Sequence, residues 1–110
     1  MLNTDAYKNI ELIKATAQNI WGKNCIFGEL KELKSPFPEF EWSLQLYDQF
    51  NVKLNYDRST LNIGVPTEEG YMALSRVTDE SVFRGFDGMK PENLLHNFRV
   101  LDRVLLKNMN

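Results

Sequence analysis

The sequence predicts one α+β domain, in which an antiparallel sheet of three to five strands packs against an N-terminal helix and a C-terminal helix. Apolar residues recur at helical spacing before Gly22 and again after Pro91. Between these segments, from Phe40 to Val65, apolar residues alternate with polar ones as in half-buried strands. The 110 residues fit one core, so we assign residues 1–110 to a single domain.

The first helix is predicted from its ends and its apolar face. Asn3 or Thr4 can cap its start, and Gly22 supplies a stop. Its apolar residues recur mostly at steps of three and four: Ala6, Ile10, Ile13, Ala17, Ile20 and Trp21. The sequence GELKELK, residues 28–34, then favours a short second helix that the following prolines end.

Strands are predicted where the spacing of apolar residues changes to alternation. Three clear strands cover residues 40–46, 50–56 and 61–65, and their short polar connections indicate an antiparallel meander. We interpret YMALSRV, residues 71–77, as a fourth strand, although its weak alternation also permits a helix. VFRGF, residues 82–86, is interpreted as a short fifth strand.

The last helix is predicted to begin at Pro91, which suits a first helical turn, with Glu92 near the positive end of the helix. Its buried stripe comprises Leu94, Phe98, Leu101, Val104 and Leu105.

Composition indicates a cytoplasmic globular protein with no membrane association. Asp5 stands where a signal peptide would be basic or apolar, and no apolar run approaches a membrane span. The single cysteine, Cys25, excludes an internal disulfide and fits a reducing compartment.

Negative charge is concentrated in the middle of the chain. Between Glu39 and Glu92 there are ten acidic and five basic residues, whereas the whole chain carries a net charge of −2. Such a segment repels nucleic acid, which needs clustered Lys and Arg. The predicted partner is therefore a basic protein.

The segment VFRGFDGMKPENLL, Val82 to Leu95, invites comparison with a phosphate-binding loop. A Walker loop needs different glycine spacing and a hydroxyl after its lysine, while here Asp87 would repel phosphate and Pro91 follows Lys90 directly. We interpret the glycines as turn residues that precede a helix.

No catalytic, cofactor or metal site is predicted. His96 lies about 200° around the last helix from Leu94, so we expect a solvated side chain, and Cys25 is interpreted as an inert, partly buried thiol. The carboxylate pairs Glu68–Glu69 and Asp79–Glu80 lie in predicted turns, where charged residues are usually only solvated.

The three strands and the segment ESVFRGFDGMKPENLLHNFRVLD resemble the small immunity proteins that bacteria encode beside contact-dependent or related polymorphic toxins. The resemblance implies a stoichiometric inhibitor of a toxin; a nuclease is one candidate, because its active site must be basic. The partner-binding residues predicted from their charge are Asp57, Glu68, Glu69, Asp79, Glu80 and Asp87. Tyr71 and Phe86 are predicted to bind the partner as well, because they are aromatic residues beside glycines in predicted loops. Two alternatives stay open: a small enzyme or ligand-binding domain whose site is assembled from distant residues, and a homo-oligomeric subunit.

Overall fold

The computed structural model describes residues 4–33, 39–57 and 60–108, which form two helices and a five-stranded antiparallel sheet. The helices are α1 (Thr4–Trp21) and α2 (Pro91–Lys107). The strands lie side by side in chain order: β1 (Cys25–Glu32), β2 (Glu39–Leu46), β3 (Phe50–Asp57), β4 (Thr60–Thr67) and β5 (Gly70–Ala73). The predicted α+β class is confirmed. Neither described helix is long and apolar enough to cross a lipid bilayer.

The sheet has one buried face and one open face. In β2, Trp42 and Leu44 are buried while Glu41 and Ser43 are exposed, and the same alternation continues in β3. The buried face packs against both helices, in a core whose fully buried side chains include Ile13, Phe40, Leu44, Leu54, Leu94, Phe98 and Leu101. The alternation read from the sequence therefore assigned the strand residues to the correct faces.

The predicted short helix over residues 28–34 is wrong, because residues 28–32 belong to β1. The strand pairs with β2 through Phe27 opposite Leu44 and Leu30 opposite Trp42, so that three steps along β1 match two along β2. This β-bulge shifts the apolar alternation by one residue and hides the strand pattern in the sequence.

The fourth and fifth predicted strands have different outcomes. Residues 70–73 form β5, but the segment then turns into a 3-10 helix at Leu74–Arg76. The prediction of a strand over residues 82–86 is wrong. Residues 81–84 form neither strand nor helix, and the N–H and C=O of Phe83 bind the side chain of Asn97 at 2.9 and 3.0 Å. The side-chain amide of Asn97 thus binds the backbone groups that a neighbouring strand would otherwise bind.

A polar cluster ties the helices to the sheet. Asp102 of α2 accepts hydrogen bonds from Trp21 Nε1 at 2.8 Å and from the Tyr47 hydroxyl at 2.5 Å. Tyr47 and Asp48 form the β2–β3 turn with φ of 57° and 56°, as in a type I′ turn. The cluster therefore joins the end of α1, this turn and the middle of α2.

Candidate functional site

The open sheet face, opposite the two helices, forms a groove with a volume of about 480 Å³. Two rows of paired positions cross it. One row consists of Lys31, Glu41, Asn55 and Asn62, and the next of Ser43, Lys53, Gly64 and Ala73. The groove is therefore built from residues that are distant in sequence and adjacent only in the sheet.

Tyr71 provides the aromatic surface of this groove. Its side chain is 45% exposed, and the ammonium of Lys53 lies 4.3 Å from the centre of its ring. Gly64 lies between the two strands that carry them, and a Cβ added there would be 3.6 Å from Tyr71 Cδ1. The Tyr71 ring thus lies across Gly64, where Lys53 holds it by a cation–π contact.

Chemically, the groove offers hydrogen-bonding groups and one aromatic ring. Its charged residues balance, with Glu29 and Glu41 against Lys31 and Lys53. Polar open faces are common in antiparallel sheets, and this one is distinguished by its concave shape and by the exposed Tyr71. In the described ranges, no group of three or more His, Cys, Asp or Glu side chains is arranged to hold a metal ion.

Three carboxylates lie in turns at one end of the sheet. In a meander, the β2–β3 and β4–β5 turns lie at the same end of the sheet, which brings Asp48 to the end that carries Glu68 and Glu69. We call these three residues the acidic turns. Thr67 Oγ1 fixes the second turn by donating to Gly70 O at 2.5 Å and accepting from Glu69 N at 3.2 Å. All three acids are exposed, and within the described residues none forms an ion pair.

Two of the predicted partner-binding acids are held by cations of the same chain. Glu80 accepts three contacts of 2.6–3.1 Å from the guanidinium of Arg103, and these hydrogen bonds lower the pKa of Glu80. Asp87 lies 3.1 Å from the ammonium of Lys90. Their charges are thus already compensated within the protein.

The remaining predicted residues do not form one site with the acidic turns. Asp57 is half-buried at the end of β3, paired in register with Glu39 and Thr60, at the opposite end of the sheet. Asp79 is exposed in the loop that follows β5, and Phe86 is 76% exposed in the 3-10 helix Gly85–Met89. Of the eight predicted residues, Glu68, Glu69 and Tyr71 share one hairpin.

The glycine segment forms a turn before a helix. Gly85 has a φ of 60°, which favours glycine, and α2 begins at Pro91. His96 lies off the buried stripe, but it is half-buried instead of simply solvated. Its Nε2 is 2.8 Å from Ser81 O, and its ring meets the edge of Phe83.

Cys25 is half-buried at the start of β1, and burial raises the pKa of its thiol to about 11. A raised pKa keeps the thiol protonated and poorly nucleophilic near neutral pH. The geometry therefore agrees with the interpretation of an inert thiol.

Sequence reasoning did not single out Lys53, Asn55, Asn62 or Asp48. In the sequence these are polar residues at alternating strand positions or in a turn, and many residues that are only solvated have the same pattern. Comparisons of the chain with protein-family models, with curated proteins and with solved structures found no match.

Proposed function

We propose that this protein is a stoichiometric protein-binding module whose open sheet face docks a basic protein partner. Tyr71 is the apolar anchor, and the acidic turns face positive charge on the partner. The observation that carries the proposal is an exposed aromatic ring in a concave groove, on the same hairpin as two carboxylates without an ion pair in the described residues. Aromatic anchors surrounded by polar rims are typical of protein interfaces.

The size of the open sheet face supports docking of a protein. Strands lie about 4.8 Å apart and rise about 3.3 Å per residue, so five strands of eight residues or fewer cover roughly 600 Å². Stable complexes bury about 800 Å² per partner. The face together with its flanking turns therefore approaches the required area.

Charge supports a basic partner. The acidic turns remain uncompensated in the described part of the chain, whereas Glu80 and Asp87 are paired with Arg103 and Lys90. Exposed charges at a rim mainly accelerate association and select against partners of like charge. We therefore assign recognition to Asp48, Glu68 and Glu69, and only a supporting role to the paired acids.

A toxin neutralised by its immunity protein fits this chemistry. A toxin that acts on nucleic acid needs a basic substrate-binding surface, and an acidic partner can cover that surface without any catalysis. Under the proposal, the protein acts by occupying such a surface in one-to-one stoichiometry.

Binding kinetics can test the proposal with two variants of equal charge change. The partner is captured from the source cells with tagged protein and identified, and its association is measured at several salt concentrations. Glu68→Lys with Glu69→Lys should slow association and weaken its salt dependence. Glu11→Lys with Glu92→Lys alters exposed helix residues and is the matched control. Equal effects of the two variants, or no effect of either, would contradict the proposal.

A further inference from the structure

A second cleft, of about 380 Å³, lies between β4, the end of β5 and the loop after it. Its polar lining includes Thr60, Asn62, Ser75, Arg76 and Arg84, and Phe83 forms part of its apolar wall. We call it the arginine cleft. It lies toward the end of β4 opposite the acidic turns, because Thr60 begins that strand and Thr67 ends it.

Both arginines extend from backbone that is fixed in place. Arg84 follows Phe83, whose N–H and C=O are both bound by the buried side chain of Asn97. Arg76 ends a 3-10 helix that begins at the buried Leu74, and the N–H of Val77 closes the turn on Leu74 O at 3.1 Å. Because this backbone is already anchored, a ligand that binds the two arginines does not have to order the loop as well.

The positive charge of the arginine cleft is uncompensated. Among the described residues, Arg76 and Arg84 form no ion pair. The loop acids Glu80 and Asp87 do not neutralise them, because each contacts another cation. Asp79 lines a neighbouring depression together with Arg76 and is the remaining loop acid close to it in sequence.

We infer that the arginine cleft binds a small organic oxyanion, either a carboxylate or a phosphate monoester. Guanidinium groups pair with the oxygens of these anions through two parallel N–H donors. The hydroxyls of Thr60 and Ser75 and the amide of Asn62 supply further donors, while Phe83, which is 40% exposed, offers an apolar surface to the body of the ligand. The size of the cleft suits a small molecule. The inference does not depend on the proposed protein partner.

Calorimetric titration with benzoate and phenyl phosphate tests this inference, with benzyl alcohol as the neutral analogue. Wild type should bind at least one of the two anions saturably and should not bind the alcohol, and the preferred anion identifies the oxyanion. Arg76→Gln and Arg84→Gln should each weaken binding about tenfold or more, because each removes charge-assisted hydrogen bonds. Arg99→Gln changes an exposed arginine of α2 outside the cleft and should leave the affinity unchanged.

Two further measurements distinguish binding in the arginine cleft from nonspecific attraction of anions to the protein. Asp79→Asn should strengthen binding, since it removes a negative charge close to Arg76 in sequence. For the wild type alone, added salt should weaken binding of the anion. The inference is overturned if neither anion binds the wild type saturably. It is also overturned if Arg76→Gln and Arg84→Gln both keep the wild-type affinity, or if Arg99→Gln weakens binding as much as they do.

Discussion

The two faces of the sheet differ although the same strands build both. On β3, Leu54 is 1% exposed beneath the helices, whereas its neighbour Lys53 lies in the open groove beside Tyr71. The neighbours across the sheet lie on the same two faces. Trp42 and Ile63 flank Leu54 on the covered face, and Ser43 and Gly64 flank Lys53 on the open sheet face. The comparison indicates that stability depends on the covered face, so substitutions on the open sheet face should disturb the core little.

The largest expected effect comes from substitutions at these two neighbouring residues. Leu54→Ala should lower the free energy of unfolding by about 2–5 kcal/mol, because it leaves a cavity in a packed core. Lys53→Ala removes one exposed cation–π contact and should change the free energy by less than about 1 kcal/mol. Urea unfolding measures both values. Similar values would contradict the division between the two faces.

The polar cluster on the covered side should give the next largest effect. Asp102→Ala removes the acceptor shared by Trp21 Nε1 and the Tyr47 hydroxyl, and should cost about 2–4 kcal/mol. The neighbouring Arg103→Ala breaks only an exposed ion pair with Glu80 and should change stability little. Thermal unfolding of the two variants would show whether the cluster is structural; equal shifts in Tm would argue against that role.

Substitutions of two glycines, one in the loop before α2 and one on the open sheet face, should change the free energy of unfolding by smaller and unequal amounts. Gly85 has a φ of 60° and no atom within 4 Å of an added Cβ, so Gly85→Ala should lose about 1–2 kcal/mol through backbone strain alone. At Gly64, an added Cβ would make ordinary contacts of 3.5–3.6 Å, and Gly64→Ala should change stability by less than about 0.5 kcal/mol. Chemical denaturation of the pair is the check, and a more harmful Gly64→Ala would reverse the expectation.

The smallest expected effect is a loss of stability at alkaline pH. Burial, followed by the contacts with Asp102, raises the pKa of Tyr47 to about 12 from its ordinary value of 10.0. The folded state therefore holds this proton more tightly, and the resulting stability is present below pH 10 and lost as the pH rises toward 12. Tyr47→Phe should flatten that decline in a Cys25→Ala background, which removes the second raised pKa. An unchanged pH profile would contradict the assignment.

Regular periodicity accounts for what the sequence predicted correctly. α1, α2 and β2 to β4 have uninterrupted spacing, so the buried residues could be read from the pattern. β1 could not, because its bulge between Phe27 and Leu30 breaks the alternation. The strand prediction over residues 82–86 failed for another reason: the backbone of Phe83 is bound by the side chain of Asn97 of α2, a partner that local sequence does not reveal.

The candidate site was less predictable, since contacts between distant residues decide which charges remain available. The sequence indicated Glu68, Glu69 and an exposed Tyr71, but it could not show that Glu80 pairs with Arg103, because that contact spans 23 residues. The contact of Lys53 with Tyr71 likewise depends on the order of the strands across the sheet. Composition could therefore suggest a basic partner without identifying the carboxylates that are free to meet it.

Crosslinking from two tyrosine positions can show whether the partner binds to the open sheet face. Tyr71 on the open sheet face and Tyr7 on α1 are 45% and 48% exposed, so they form a matched pair on different surfaces. Each is replaced in turn by a photoreactive phenylalanine analogue, and the protein is irradiated in the source cells. Binding through the open sheet face should give a covalent adduct with one basic protein from position 71 and none from position 7. An adduct from position 7 alone, or equal adducts from both positions, would contradict binding through the open sheet face.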